Sequence, residues 1–250
     1  MADVTLTYKG STIAEMNATG SKTLKTSGKY CEGDIVVSYV KPSSGGSDEL
    51  AKKMITGEGN ITELPSYITN IRDGAFYKCT NLVLTSLPSG ITKINDYSFY
   101  NCANLALTSL PEGITSIGDY AFYFCTNIAL TSLPNTITKI SQYSFSGCTN
   151  LALTSLPETI TEIGSSGFLL CHNLALTSLP SGITSIDNYA FANCTGLTTI
   201  TFEGTPTSIS SNTFYGCTNL TDIYVPWAQG AVSGAPWGAT NATIHYNTTT

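Results

Sequence analysis

Between Ile61 and Pro226 the apolar residues return to the same places in a 23-residue frame, and Thr, Ser, Asn and Gly fill most of the positions between them. Phe76, Phe99, Phe122, Phe145, Phe168, Phe191 and Phe214 mark the frame. A cysteine follows each of them three residues later: Cys79, Cys102, Cys125, Cys148, Cys171, Cys194 and Cys217. Ile71, Ile94, Ile117, Ile140, Ile163, Ile186 and Ile209 keep the same interval, so seven units are in register without an insertion. A unit this short cannot bury its own apolar side. The pattern therefore predicts a solenoid in which stacked units share one continuous core.

Inside a unit, Leu105-Ala106-Leu107 and its equivalents predict one parallel strand, with both leucines inward and Ala106 outward. The turn before it carries Asn81, Asn104, Asn127, Asn150, Asn173 and Asn219, with Gly196 in one unit. Tolerance of positive φ and an ability to satisfy turn backbone are what Asn and Gly share, which assigns this position a structural role. Phe99 and its equivalents plug the core from the opposite side. The Leu-Pro step that follows blocks helix and turns the chain toward the Ile-Thr-x-Ile segment.

Ile186, Ala190, Phe191, Cys194, Leu197, Ile200 and Phe202, then Ile209, Phe214, Cys217, Leu220, Ile223, Val225 and Pro226, follow the pattern I-x-x-x-A-F-x-x-C-x-x-L-x-x-[IL]-x-[IL]-P. That pattern resembles the BspA-type leucine-rich repeat of bacterial surface proteins, and the likeness covers about Ile61 to Pro226. The five earlier units depart in one place. They read C-x-N-[LI]-x-L-T-S-L-P, as at Cys102–Pro111, with one apolar residue a position early, which shifts the strand register. The resemblance implies a leucine-rich-repeat solenoid, β-rich, with parallel strands on one side and loops or short helical turns on the other.

The flanks read differently. Residues 1–42 predict a small β module for attachment or oligomerisation, with strands over Val4–Tyr8, Thr12–Met16, Thr23–Lys25 and Ile35–Val40. Such a length is near the lower limit for independent folding, so docking on an assembly or self-association is expected of it. Within it, Ser21–Cys31 resembles short β modules of phage and prophage tail proteins. Residues 43–47 form a Gly/Ser linker. Residues 48–63 predict an N-terminal cap, a short helix over Asp48–Ile55 and half a repeat. Residues 64–223 are the repeats and 224–250 a C-terminal cap, in which Trp227 and Trp237 fold over the last open edge in preference to forming a carbohydrate platform.

Composition narrows the function classes. Only 11% of the 250 residues are charged and the net charge is −6, which argues against nucleic acid as a partner. Seven of the eight cysteines occupy one column, so they predict buried, reduced thiols rather than a disulfide framework. The N-terminus lacks a Sec-type signal pattern and no run of 18 apolar residues occurs. A virion-associated or cytoplasmic location is expected over Sec secretion, with no membrane insertion.

Chemistry is sparse. No phosphate loop, nucleophile elbow or zinc-binding motif is present, and no cofactor or metal is expected. Cys171-His172 is the one Cys/His neighbour, and the other units place Thr or Ala where His172 stands. Asp73, Asp96 and Asp119 form a short acidic column that Gln142 ends, read as a solvated edge or turn cap. The two positions between Phe and Cys vary most. Tyr100, Tyr123, Phe124, Leu169 and Leu170 are therefore the candidate partner-binding residues, since an exposed apolar strip tends to be a contact site. The expectation is a non-enzymatic binding protein for a protein or cell-surface glycan ligand, associated with a phage or prophage tail or with host recognition. A BspA-type surface adhesin and an intracellular partner-binding effector are the alternatives.

Overall fold

The computed structural model describes residues 60–248 apart from 65 and 67, together with the strands Thr5–Tyr8, Gly20–Ser27 and Glu32–Tyr39. The predicted helix over Asp48–Ile55, the linker and the segment Thr12–Met16 lie outside the described residues. The protein is a parallel-strand solenoid whose coils repeat every 23 residues, with no helix among the described residues. None is therefore long and apolar enough to cross a membrane.

Three strands come from the N-terminal part: β1 (Thr5–Tyr8), β2 (Gly20–Ser27) and β3 (Glu32–Tyr39). β3 pairs antiparallel with both of the others, and β1 also pairs in parallel with the first repeat strand, Thr5 opposite Asn70 and Leu6 opposite Ile71.

In the repeats, the regular strand sits on the Ile-Thr-x-Ile segment and not where the sequence placed it. β4 (Asn70–Ile71), β5 (Lys93–Ile94) and β6 (Ser116–Ile117) pair in parallel, each isoleucine opposite the next. β7 (Lys139–Ile140), β8 (Glu162–Ile163), β10 (Ser185–Ile186) and β12 (Ser208–Ile209) continue the column. The pairing lapses between β6 and β7, where the Ser141 hydroxyl donates to the carbonyl of Ile117 at 2.6 Å.

The Leu-x-Leu segment keeps its predicted alternation, with Leu105 and Leu107 buried and Ala106 half-buried. It lacks the full ladder. One good bond crosses each step, such as Ala106 N–H to Leu84 O at 3.0 Å and Ala129 N–H to Leu107 O at 2.9 Å, and the next, Thr108 to Thr85, stretches to 3.4 Å. The Leu-Pro step explains the shortfall: proline has no N–H, restricts the leucine before it, and opens a turn, as in Ile114 N–H to Pro111 O at 3.1 Å. After β9 (Ser178–Leu179), the unit that carries Phe202-Glu203 in place of Leu-Pro forms the four-residue β11 (Thr199–Phe202). β13 (Asp222–Tyr224) and β14 (Thr243–His245) extend that sheet, so the C-terminal segment adds a further strand to the stack.

A single buried cluster runs from Ile61 to Ala239. Its axis is a file of parallel rings, Phe76 to Phe214, with successive centroids 5.4 to 5.7 Å apart. Trp237 is fully buried and Trp227 nearly so, and Phe202 meets both at ring edges and tilts. Both tryptophans therefore close the core instead of offering a platform to solvent.

The cysteine column holds one surprise. Cys79 is disulfide-bonded, against the expectation of seven reduced thiols. The other six are free and buried.

Candidate partner-binding surface

The segment from Ile to Cys on the far side of each coil is neither strand nor helix. Its amide groups alternate between two destinations. In one coil Tyr97, Phe99 and Asn101 donate to the next coil, to the carbonyls of Asp119, Ala121 and Tyr123 at 2.9, 2.8 and 2.6 Å. Between them Ser98, Tyr100 and Cys102 donate three residues back, to Asn95, Tyr97 and Phe99 at 3.3, 3.1 and 3.1 Å. Every N–H is used, as a buried turn requires.

That alternation twists two residues per coil into the left-handed region. One stands two places before the phenylalanine: Gly74, Tyr97, Tyr120, Tyr143, Ser166 and Tyr189, with φ between 53° and 63°. The other immediately precedes the cysteine, as in Lys78, Asn101, Phe124 and Gly147. A non-glycine residue there costs about 1–2 kcal/mol, and the inter-coil bonds on either side hold it in place. The turn asparagines, expected to need this conformation, do not adopt it. Two of them donate across the step instead, Asn104 Nδ2 to Thr80 O at 2.7 Å and Asn219 Nδ2 to Thr195 O at 2.8 Å. Gly196 is set by space: a Cβ there would lie 2.6 Å from the carbonyl oxygens of His172 and Leu174.

Around these left-handed positions Tyr97, Tyr100 and Asn101 of one coil stay at the surface while Ser98 and Phe99 are buried, and tyrosines fill two adjacent columns. Tyr77, Tyr100 and Tyr123 stack with centroids 4.7 Å apart. Tyr97, Tyr120 and Tyr143 stack beside them at 4.9 and 4.7 Å. Across the two columns the rings tilt by 40° to 70° at 5.6 to 6.4 Å. Phe124 leans on Tyr123 at 4.7 Å and lies over Gly147, where a Cβ would come within 2.8 Å of its ring. The candidates Tyr100, Tyr123 and Phe124 are thus brought together. Leu169 and Leu170 are half-buried and stand beyond the coil of buried Ser146 and Gly147.

A family described as the BspA type leucine rich repeat region matches residues 58–175 and 115–231, in six copies. The chain belongs to this family. Among solved structures, this BspA-type chain is similar to the leucine-rich-repeat protein TpLRR of T. pallidum, with 32% identity and a TM-score of 0.56 over 66% of this chain and 80% of that one. Weaker likenesses join it to a leucine-rich-repeat protein from Bacteroides ovatus (21% identity, TM-score 0.42, 74% of this chain and 61% of that one) and to a leucine-rich cell surface protein from Faecalibacterium prausnitzii (23%, 0.38, 74% and 63%). No curated protein matches.

Sequence reasoning overlooked the second column of this BspA-type array. Tyr97, Tyr120, Tyr143 and Tyr189 keep the same 23-residue frame, so the signal was present. Partial burial, then the neighbouring phenols, push the ionisation of Tyr100 and Tyr120 up, so these groups stay protonated donors at neutral pH. The acidic column caps turns: Asp96 Oδ1 accepts the Asp119 N–H at 2.8 Å and Asp119 Oδ1 that of Gln142 at 3.1 Å. Cys171 points inward to the carbonyl of Phe145 while His172 is exposed, so the two do not meet. Among the described residues no three His, Cys, Asp or Glu side chains converge on a metal position.

Proposed function

We propose that this chain is a non-enzymatic binding protein that recognises a protein partner with its aromatic edge. The observation that supports this reading is the double tyrosine column, six phenols on one side of a rigid array. Tyrosine offers large, rigid, amphipathic contact area at low entropic cost. A glycan is the weaker fit, because a sugar packs on a ring face and most faces here are covered by the next ring.

The test is the double change Tyr123→Ser and Phe124→Gly, which copies Ser146-Gly147 of the next coil. Labelled full-length protein is applied to a protein array and a glycan array. The reading expects protein signals that the double variant loses, with a melting temperature within a few degrees of the parent. Signals confined to glycans, or signals that the variant keeps, would sink it.

We further propose residues 1–42 as the attachment module and the repeats as the reader. The BspA-type family supports a bacterial surface as the setting, and the tail-protein likeness of Ser21–Cys31 supports a phage or prophage particle. Purified particles or cells that retain the full chain and release a chain lacking residues 1–42 separate attachment from reading.

A further inference from the structure

The tyrosine columns define the chemistry of what lies on them more closely than "protein". Their ring faces are consumed by stacking, so they present ring edges and hydroxyls, and none of the six hydroxyls is in a hydrogen bond within the described residues. Six unengaged donors call for a ligand rich in unengaged acceptors. A helix does not qualify, since nearly all its carbonyls are already bonded within it. A polyproline II segment does: it makes no internal hydrogen bonds and leaves its carbonyls solvated.

The dimensions agree. Rings recur every 4.7 Å in the first column and at 4.9 and 4.7 Å in the second, so two coils span about 9.4 to 9.6 Å, and one turn of polyproline II, three residues at 3.1 Å, spans about 9.3 Å. Residues i and i+3 of such a segment meet equivalent tyrosine pairs at every second coil. An extended strand, with a two-residue repeat near 6.8 Å, drifts out of step. Charge selects further, because Asp96 and Asp119 each directly precede a tyrosine of the second column and carry their carboxylates along its margin.

We propose that the tyrosine columns are a docking track for a single proline-rich segment in the polyproline II conformation that carries Lys or Arg. The proposal rests on the reading of the aromatic edge as a recognition surface and names its partner. Mixed aromatic and acidic tracks suit such segments because the ligand is already ordered and little conformational entropy is lost on docking.

The experiment is fluorescence anisotropy with full-length protein and three labelled peptides of about twelve residues, four turns of the helix. One is Pro/Arg, one Pro/Glu, and one a triple-helical Gly-Pro-hydroxyproline peptide. The expected result is saturable micromolar binding of the Pro/Arg peptide, at least tenfold weaker binding of the Pro/Glu peptide, and weaker binding of the triple helix. The double variant Tyr100→Phe and Tyr120→Phe keeps the rings and removes two donors, so it weakens Pro/Arg binding by about tenfold or more with an unchanged melting temperature. Absence of saturable Pro/Arg binding, indifference to the Phe changes, or preference for the triple helix overturns the proposal. If array binding is lost in the Tyr123/Phe124 variant while no peptide binds, the recognition surface stands and the polyproline assignment alone falls.

Discussion

The sulfur of Cys125 lies 2.9 Å from the carbonyl oxygen of Phe99, one coil back. The same carbonyl accepts the N–H of Cys102 at 3.1 Å, so the thiol occupies its second acceptor position. Cys102, Cys148, Cys171, Cys194 and Cys217 repeat the contact at 2.8 to 3.1 Å. The column therefore uses cysteine as a donor as well as a small apolar filler. Replacing Cys125 by Ala removes the sulfur and leaves the carbonyl one partner short, at an expected cost of about 1–3 kcal/mol by urea unfolding. A loss below a few tenths would show the contact to be incidental.

The six free thiols also set an alkaline limit. Burial pushes Cys217 up to about 11 and holds the other five well above the usual thiol range. In the unfolded chain a thiol ionises near 8.5. The folded state thus binds more protons, its advantage is complete below that value, and it is lost as pH rises through the folded values. Melting temperature is expected to be flat from neutral pH to about 8.5 and then to fall. In native protein at pH 8 the free cysteines are expected to resist a thiol reagent, reacting only after unfolding, and Cys79 only after reduction as well.

The phenylalanine file predicts a cost that depends on position. Phe145 is enclosed by Phe122 at 5.5 Å and Phe168 at 5.7 Å, whereas Phe76 has a described ring neighbour on one side only. Phe145→Ala is expected to lose about 3–5 kcal/mol, more than Phe76→Ala. Equal losses by chemical denaturation would indicate that ring-to-ring contact contributes little beyond burial.

Gly147 and Phe124 should be coupled. Gly147→Ala places a Cβ against the Phe124 ring at φ +75°, and destabilisation of about 1–3 kcal/mol is expected. Phe124→Gly removes the obstruction and relieves a residue held at φ +53°, so the second change should restore part of the loss. Strict additivity in the double-mutant cycle would contradict the packing described.

Much of this was written in the periodicity. The frame from Phe76 to Cys217 dictated stacking, a common core and the inward alternation of Leu105 and Leu107. Strand placement was harder to read, because it turns on which segment can spare amide groups for the next coil, and the proline of each Leu-Pro step tips that balance toward the isoleucine column. Left-handed φ at Tyr97 and Phe124 was invisible for a related reason: it follows from inter-coil bonding and runs against the preference of those residue types. Of the candidate surface, Tyr100, Tyr123 and Phe124 were legible because they vary between units. Tyr97, Tyr120 and Tyr143 were not, since repetition there resembled scaffold. The pairing of His245 with Asp222 at 2.7 Å needed the capping strand β14 to be seen, as the repeat pattern stops before it.

The alternating amides of the far side have an evolutionary corollary. Each coil hands half of that segment's donors forward and receives as many from behind, so no coil is complete alone and every internal coil is equivalent to its neighbours. A duplication or loss of 23 codons, wherever in the frame it starts, leaves each remaining donor with an acceptor, whereas a change of any other length strands a row of them inside the protein. The array is thus built to vary in whole steps, a step among the tyrosine-bearing coils lengthening or shortening the track by one rung, and unequal recombination between near-identical units is an accessible way for such a protein to change its reach without relearning how to fold.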